Sequence, residues 1–421
     1  RRWVVRSKVG QVSGWTARSE DVPLRQLVAV PVDVGKSSAM VKACDFSGRT
    51  LLAPCEFALT RQGVLDVVAR LTAAVPGDAR LVRVGVEAAG HYHLPVVAPG
   101  VWPTGWEVVE LNPAQVTAQR RVNGSRGVKT DEIDLVAITD MLLAGRGVPV
   151  VCGQAPLVEL QAWVAHRRRR VEVRTATKNQ LLGQLDRCFP GLATALSDVL
   201  GSKVGRLVAA DFADPTRLAR LGEQRFRAYA ARRDVRVSRA VAARLVAAAR
   251  DALPTPGAAV ARQVLAADLA LLADLDAQIA AAEARIATLL PDTDYRVLTT
   301  GPGWGVVRAA GYAAALGPLT RWGHAAKIYR AAGLTPIQYE SAGKRRDGGI
   351  SREGSVPLRR ALIDLGIGLW QRDPAAQSYA HTLRERGKPG GIITCALARR
   401  ANKIAYAMVR DQAPFTPTRW S

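Results

Sequence analysis

Between Leu27 and Leu143 short β-rich runs and amphipathic stretches follow one another in a single order, and that order restricts the fold more than any composition figure. The run LVAVPVDV (27–34) is followed after Gly35-Lys36 by VKACDF (41–46) and TLLAPCEF (50–57). These are three strands at hairpin spacing, with Ser47-Gly48 as one turn. Val64, Leu65, Val67, Val68 and Leu71 then give residues 60–71 a helical period. Two further strands, LVRVGVE (81–87) and EVVEL (107–111), precede helices expected over 113–121 and 131–143. Thr130 supplies an N-cap for the last of these, and Asp131 and Asp134, three residues apart, share one of its faces.

Three strands, helix, strand, helix, strand, helix is the order of a mixed sheet of the RNase H or RuvC-like kind, and these runs are expected to follow it. In that topology the ends of the first and fourth strands are neighbours. Asp33 and Glu87 occupy those ends, with the helix carrying Asp131 and Asp134 packed beside them. Four converging carboxylates repel one another unless cations neutralise them, and Mg²⁺ prefers carboxylate and phosphate oxygens together. Two such ions can clamp a phosphodiester and stabilise both attacking and leaving oxygens.

A formal charge of +23 and a pI near 10.7 point to a polyanionic partner. Every long apolar segment is interrupted by charge, so no transmembrane span and no membrane partner are expected. The five cysteines form no Cys-x-x-Cys pair, and the Arg1-Arg2-Trp3 start lacks an apolar leader, which reads as a reduced, cytoplasmic, nucleoid-associated protein. Residues 1–26 read as a basic tail, and 27–150 as the sheet domain.

Residues 151–292 turn Ala-, Leu- and Arg-rich and read as a long helical, coiled-coil middle. Arg167, Arg170, Arg174 and Lys178 recur there at spacings of three and four, a stripe suited to a phosphate backbone. The stretch 258–290 reads as a long amphipathic helix with Val260, Val264, Leu272, Leu275, Ile279 and Ile286 among its apolar positions, to pack within the chain or between subunits. Residues 293–421 form a third, mostly helical part. It opens with Thr300-Gly301-Pro302-Gly303-Trp304-Gly305, a loop able either to approach a phosphate or simply to turn tightly. Further on, Ser341 lies in a glycine-containing loop followed by Lys344, Arg345 and Arg346, and a serine among cations can attack a phosphate. Ser351 is the reserve candidate.

The pieces PVDVGKSSAM (Asp33, Lys36), VGVEAAGHYHLP (Glu87), LNPAQV and VKTDEIDL (Lys129, Asp131, Asp134) resemble the DEDD-type insertion-sequence transposases, which join a RuvC-like N-terminal domain to a serine-containing C-terminal transposase domain. Gly333-Leu334-Thr335-Pro336, Ser341, Gly343-Lys344 and Leu358-Arg359-Arg360-Ala361-Leu362 follow the C-terminal pattern. Ala89 and Ala342 depart from it, standing where threonine and glycine are expected. The resemblance implies Asp33, Glu87, Asp131 and Asp134 as the Mg²⁺-binding catalytic acids and Ser341 as nucleophile. The basic residues Lys36, Lys129, Lys344, Arg345, Arg346, Arg359 and Arg360 join the stripe as candidate nucleic-acid contacts. It also implies a DNA recombinase of an insertion sequence, guided by a structured bridge RNA and active as a dimer or tetramer. A metal-only junction resolvase and a non-catalytic nucleic-acid-binding protein are the rival readings.

Overall fold

The computed structural model describes residues 22–88, 90–124, 130–151, 153–341 and 344–417, with side chains for all of these except 340–347. The chain divides into two compact units at Cys152/Gly153.

The first unit is built on a six-stranded sheet of order β3-β2-β1-β4-β5-β6. Its strands are β1 (Leu27–Val34), β2 (Ser38–Asp45), β3 (Thr50–Ala58), β4 (Leu81–Glu87), β5 (Glu107–Leu111) and the two-residue β6 (Val148–Pro149). β1 pairs antiparallel with β2 and parallel with β4, and β4 parallel with β5. The mixed sheet expected from the element order is therefore present, with β1 near its centre. β1 is apolar along nearly its whole length because both of its faces are covered. Val28, Val30, Val32 and Val34 join one core with Val67 and Leu71 of α1 (Arg61–Ala74). Ala29 faces the opposite side, where Val116 of α2 (Pro113–Val122) and Ala137, Ile138 and Leu142 of α3 (Asp131–Leu143) form a second core.

How α3 is seated decides where its acids fall. Gly85 of β4 lies so close to Leu142 that a Cβ would stand 2.6 Å from a Leu142 methyl, so a glycine here lets the helix lie on the strand. Beside it the buried Arg83 donates from Nε to Glu107 Oε2 at 2.9 Å and from Nη1 to the Leu142 carbonyl at 3.3 Å. A cation on the last-turn carbonyls is favoured by the helix dipole. Burial pulls the Arg83 pKa down, and Glu107 opposes that shift. Cys44, across the sheet from Ala29, lies under Thr139; burial pushes its thiol up, with Lys42 and the Thr139 hydroxyl working against that. Arg83 and Gly85 pin the C-terminal end of α3 through Leu142.

The second unit is helical apart from one hairpin. α4 (Ala155–Cys188) and α8 (Ala258–Leu289) pack along each other. A lobe containing α5 (Lys203–Asp211), α6 (Pro215–Ala231) and α7 (Arg239–Asp251) has its own core with Leu181, Leu185, Leu265 and Leu272 from the long pair. A larger core takes Leu157, Leu160, Ile286 and Leu289 from the other end. It unites them with α9 (Val306–Leu316), α10 (Ala325–Ala331), α11 (Val356–Arg372), α12 (Pro374–Glu385) and α13 (Gly390–Asp411). The middle and C-terminal stretches thus share one unit. The apolar face of α8 is covered by its own chain at Leu272, Leu275, Ile279 and Ile286, whereas Val260 and Val264 are exposed. The glycine loop serves packing: a Cβ on Gly303, at φ +72°, would stand 2.1 Å from the Gly368 carbonyl oxygen, and the buried Trp304 donates to the Leu365 carbonyl. No described helix is long and apolar enough to cross a membrane.

Candidate active site

The sheet register supplies the first pair of acids. β1 and β4 are matched up to Val32 opposite Val86, and one further step sets Asp33 beside Glu87. Adjacent strands lie about 5 Å apart. Alternation along each strand puts both residues on the α3 side, since Asp33 follows Ala29 by four residues and Glu87 follows Gly85 by two. Lys36 lies exposed in the turn that follows β1.

The second pair lies on the first turn of α3, whose N-cap hydroxyl, Thr130 Oγ1, accepts from the Ile133 amide at 3.3 Å. Asp131 is exposed and Asp134 fully buried, so a shared helical face has given them different surroundings. Arg120, near the end of α2, donates from Nη1 to Asp134 Oδ1 at 2.6 Å and from Nη2 to Thr117 Oγ1 at 2.8 Å. Sequence reading missed this pair: Arg120 stands fourteen positions before its partner, on another helix, where a basic residue also suits the dipole. Among the described residues no three His, Cys, Asp or Glu side chains are grouped so as to hold a metal ion. The structure therefore brings Asp33 and Glu87 together but does not close the four acids into one donor set. Asp33 and Glu87 are hard oxygen donors suited to an Mg²⁺-like cation. Asp134 Oδ1 is engaged by the Arg120 guanidinium in this structure.

In the second unit Ser341 ends β7 (Pro336–Ser341), which pairs antiparallel with β8 (Lys344–Ile350) in register Tyr339–Arg346, Glu340–Arg345 and Ser341–Lys344. The segment expected as a loop is a β-hairpin, and the serine and its following cations flank its tip. Lys129, Ala89 and Ala342 lie outside the described residues. Ser351 follows β8, its amide donating to the Thr335 carbonyl at 3.0 Å.

The arginine stripe is divided by its neighbours. Arg167 pairs with Glu283 at 2.6 Å, and Arg174 with Asp276 at 3.2 Å, both across to α8, with Arg206 joining Asp276 at 2.7 Å. Burial raises the Asp276 pKa, but the hydrogen bonds from Arg206 and Arg174 outweigh it and hold the carboxyl below its ordinary range. Arg170 and Lys178 are half-buried. Arg359 donates to the Ala332 and Arg352 carbonyls, and Arg360 pairs with Glu172 at 3.0 Å. Arg167, Arg174 and Arg359 thus have structural partners that their sequence spacing did not reveal.

An RNase H-like sheet with paired acids at its strand ends, followed by a helical unit with a serine at a basic hairpin, defines the class of DEDD transposases. Residues 30–190 match the family model described as the transposase of that DEDD group, and residues 295–381 match the one described as "Transposase IS116/IS110/IS902 family"; together they span more than half of the chain. The chain belongs to this transposase family, and its members are enzymes. It is similar to the insertion element IS900 uncharacterized 42 kDa protein of Mycobacterium paratuberculosis, at 25% identity over 94% of this chain and 98% of that one. It is also similar to the insertion element IS116 uncharacterized 44.8 kDa protein of Streptomyces clavuligerus, at 29% identity over 92% and 96%.

Proposed function

We propose that this transposase mobilises an insertion sequence by cutting and rejoining DNA through a covalent phosphoserine at Ser341. The Ser341 oxygen attacks a backbone phosphorus, an Oγ–P bond forms and a P–O bond to a sugar breaks. The serine proton leaves to a base, and the departing oxygen takes up a proton to become a free hydroxyl. Reversal with a different strand's hydroxyl reseals the backbone and frees the serine. Asp33, Glu87, Asp131 and Asp134 are the residues that would hold Mg²⁺, which when bound stabilises negative charge on phosphate oxygens. Arg120, donating to Asp134 Oδ1 at 2.6 Å, orients that carboxylate. The cations on the second strand of the hairpin, Lys344, Arg345 and Arg346, favour the developing charge on phosphorus. A structured guide RNA pairs with donor and target DNA, and a homo-oligomer completes the site.

What carries this reading is the pairing of two motif sets in one chain: Asp33 beside Glu87 at the strand ends, and Ser341 at the hairpin end within a transposase family match. The test is a cleavage assay with co-purified RNA, Mg²⁺ and labelled element-end DNA, run on denaturing gels before and after protease digestion. A protease-sensitive DNA adduct that disappears in Ser341→Ala is expected. Cut DNA without an adduct, persisting in that variant, would replace the reading with a metal-only nuclease.

A further inference from the structure

Resting on the Ser341 reading, we propose that the groove between α10, the start of β7 and α13 is a phosphodiester seat that holds a nucleic-acid strand beside the serine hairpin. The groove is a cavity of about 510 Å³, and three cations, Arg330, Arg399 and Lys403, line it together with Thr335, Gln338 and Asn402. Among the described residues no carboxylate lines it. Arg330, Arg399 and Lys403 are exposed, and among the described residues none of the three has an acidic partner. That sets them apart from Arg167, Arg174, Arg206 and Arg285 of the same unit, each of which is paired with an acid. Three like charges facing one concavity repel one another when it is empty, and an anion relieves that repulsion.

The wall and floor are fixed by hydrogen bonds made by other side chains. Asn402, 1% exposed, donates from Nδ2 to the Ala325 carbonyl at 2.7 Å and accepts at Oδ1 from the Tyr312 hydroxyl at 3.2 Å, tying α10 to α13. The Tyr329 hydroxyl donates to the Cys395 carbonyl at 3.1 Å, and its ring lies 5.9 Å from the Arg399 guanidinium. Burial pushes the Tyr329 pKa up to about 12, so the wall beside Arg399 stays uncharged at neutral pH. Thr335 and Gln338 offer neutral polar atoms of the kind that position a phosphate without reading sequence. Gln338 and Ser341 share β7, and three residues of strand span roughly 10 Å. A strand seated here runs past the serine. DNA and RNA share this backbone chemistry, and the test separates them.

The experiment uses the full chain carrying Ser341→Ala, freed of co-purified RNA, so that binding is read without turnover. Labelled single-stranded DNA and RNA of one sequence are titrated by fluorescence anisotropy over a salt series, with and without Arg330→Ala, Arg399→Ala and Lys403→Ala combined. Each phosphate contact to a single strand contributes about 0.7 to the logarithmic salt slope. The triple variant is therefore expected to lower the slope by about 2 and to weaken binding at about 0.1 M salt by roughly 100-fold. Loss with one nucleic acid alone identifies it as the occupant; loss with both assigns the seat to the shared backbone. Gln338→Glu, which puts a negative charge in the groove and leaves the three cations in place, should weaken binding in the same direction. Wild-type slope and affinity in both variants would overturn the proposal. The adduct assay fails or succeeds independently, since every binding measurement is made without the serine hydroxyl.

Discussion

Replacing Arg120 by alanine removes the guanidinium that stands 2.6 Å from Asp134, a carboxylate with no exposed side-chain surface. Arg120 itself is 15% exposed, so solvent screens the pair weakly. Removing one partner of such a buried pair costs about 3–5 kcal/mol, because the remaining charge keeps its desolvation penalty and loses its compensation. Domains are stable by about 5–15 kcal/mol, so the change takes a large share of the first unit's stability. For a unit of this size it corresponds to a fall in melting temperature of roughly 10 °C or more. Calorimetry on the full chain reads it directly, with the helical unit's transition as an internal reference. Arg120→Lys keeps the charge but loses the fork that also reaches Thr117, and should fall between the two. Adding Asp134→Asn to Arg120→Ala removes the buried charge itself, so the double variant should be more stable than Arg120→Ala alone. A melting temperature within about 2 °C of wild type for Arg120→Ala, equivalent to well under 1 kcal/mol, would refute the reasoning.

Three further outcomes follow from the same geometry. In Asp276→Asn the pH dependence tests the α4–α8 pair: the folded carboxyl titrates below the ordinary 3.8, so its stabilisation is present above that value and lost as pH falls through the folded value. The variant should be less stable than wild type at neutral pH and lose less on acidification below about pH 4, as read by thermal melts across pH. Gly303→Ala forces a Cβ toward the Gly368 carbonyl at a positive φ, and should destabilise the second unit by about 2 kcal/mol or more in denaturant titrations. Gly85→Ala should displace α3 through Leu142 and cost about 1–3 kcal/mol in the first unit, with the shift visible in backbone amide exchange of α3.

The sheet was legible because its signals are local. β1, β4, β5 and α3 begin and end where apolar alternation, turn residues and the Thr130 cap place them. β2 begins at Ser38, three residues before its apolar run, because the ladder with β1 continues to Ala39 opposite Val34 regardless of side-chain polarity. That the ends of β1 and β4 are neighbours was readable because the element order implies the strand order. What sequence spacing could not show is which groups meet across elements. Arg167 and Arg174 stand at helical spacing whether they face a phosphate or Glu283 and Asp276, and only the packing of α8 decides between the two. The same holds for Arg120 and Asp134. The β7–β8 hairpin was read as a loop because glycines and charges at its tip mask the alternation of Ile337 and Tyr339.

The α4–α8 pair also works as a spacer. Leu160 belongs to the core at one end and Leu181 to the core of the lobe at the other. At about 1.5 Å per residue those positions on one continuous helix stand roughly 32 Å apart. Each heptad inserted into both helices would move the far lobe outward by about 10 Å. The length of the α4–α8 pair thus sets the separation of the two cores, and neither core can shift along the rod without breaking the Arg167–Glu283 and Arg174–Asp276 pairs between them.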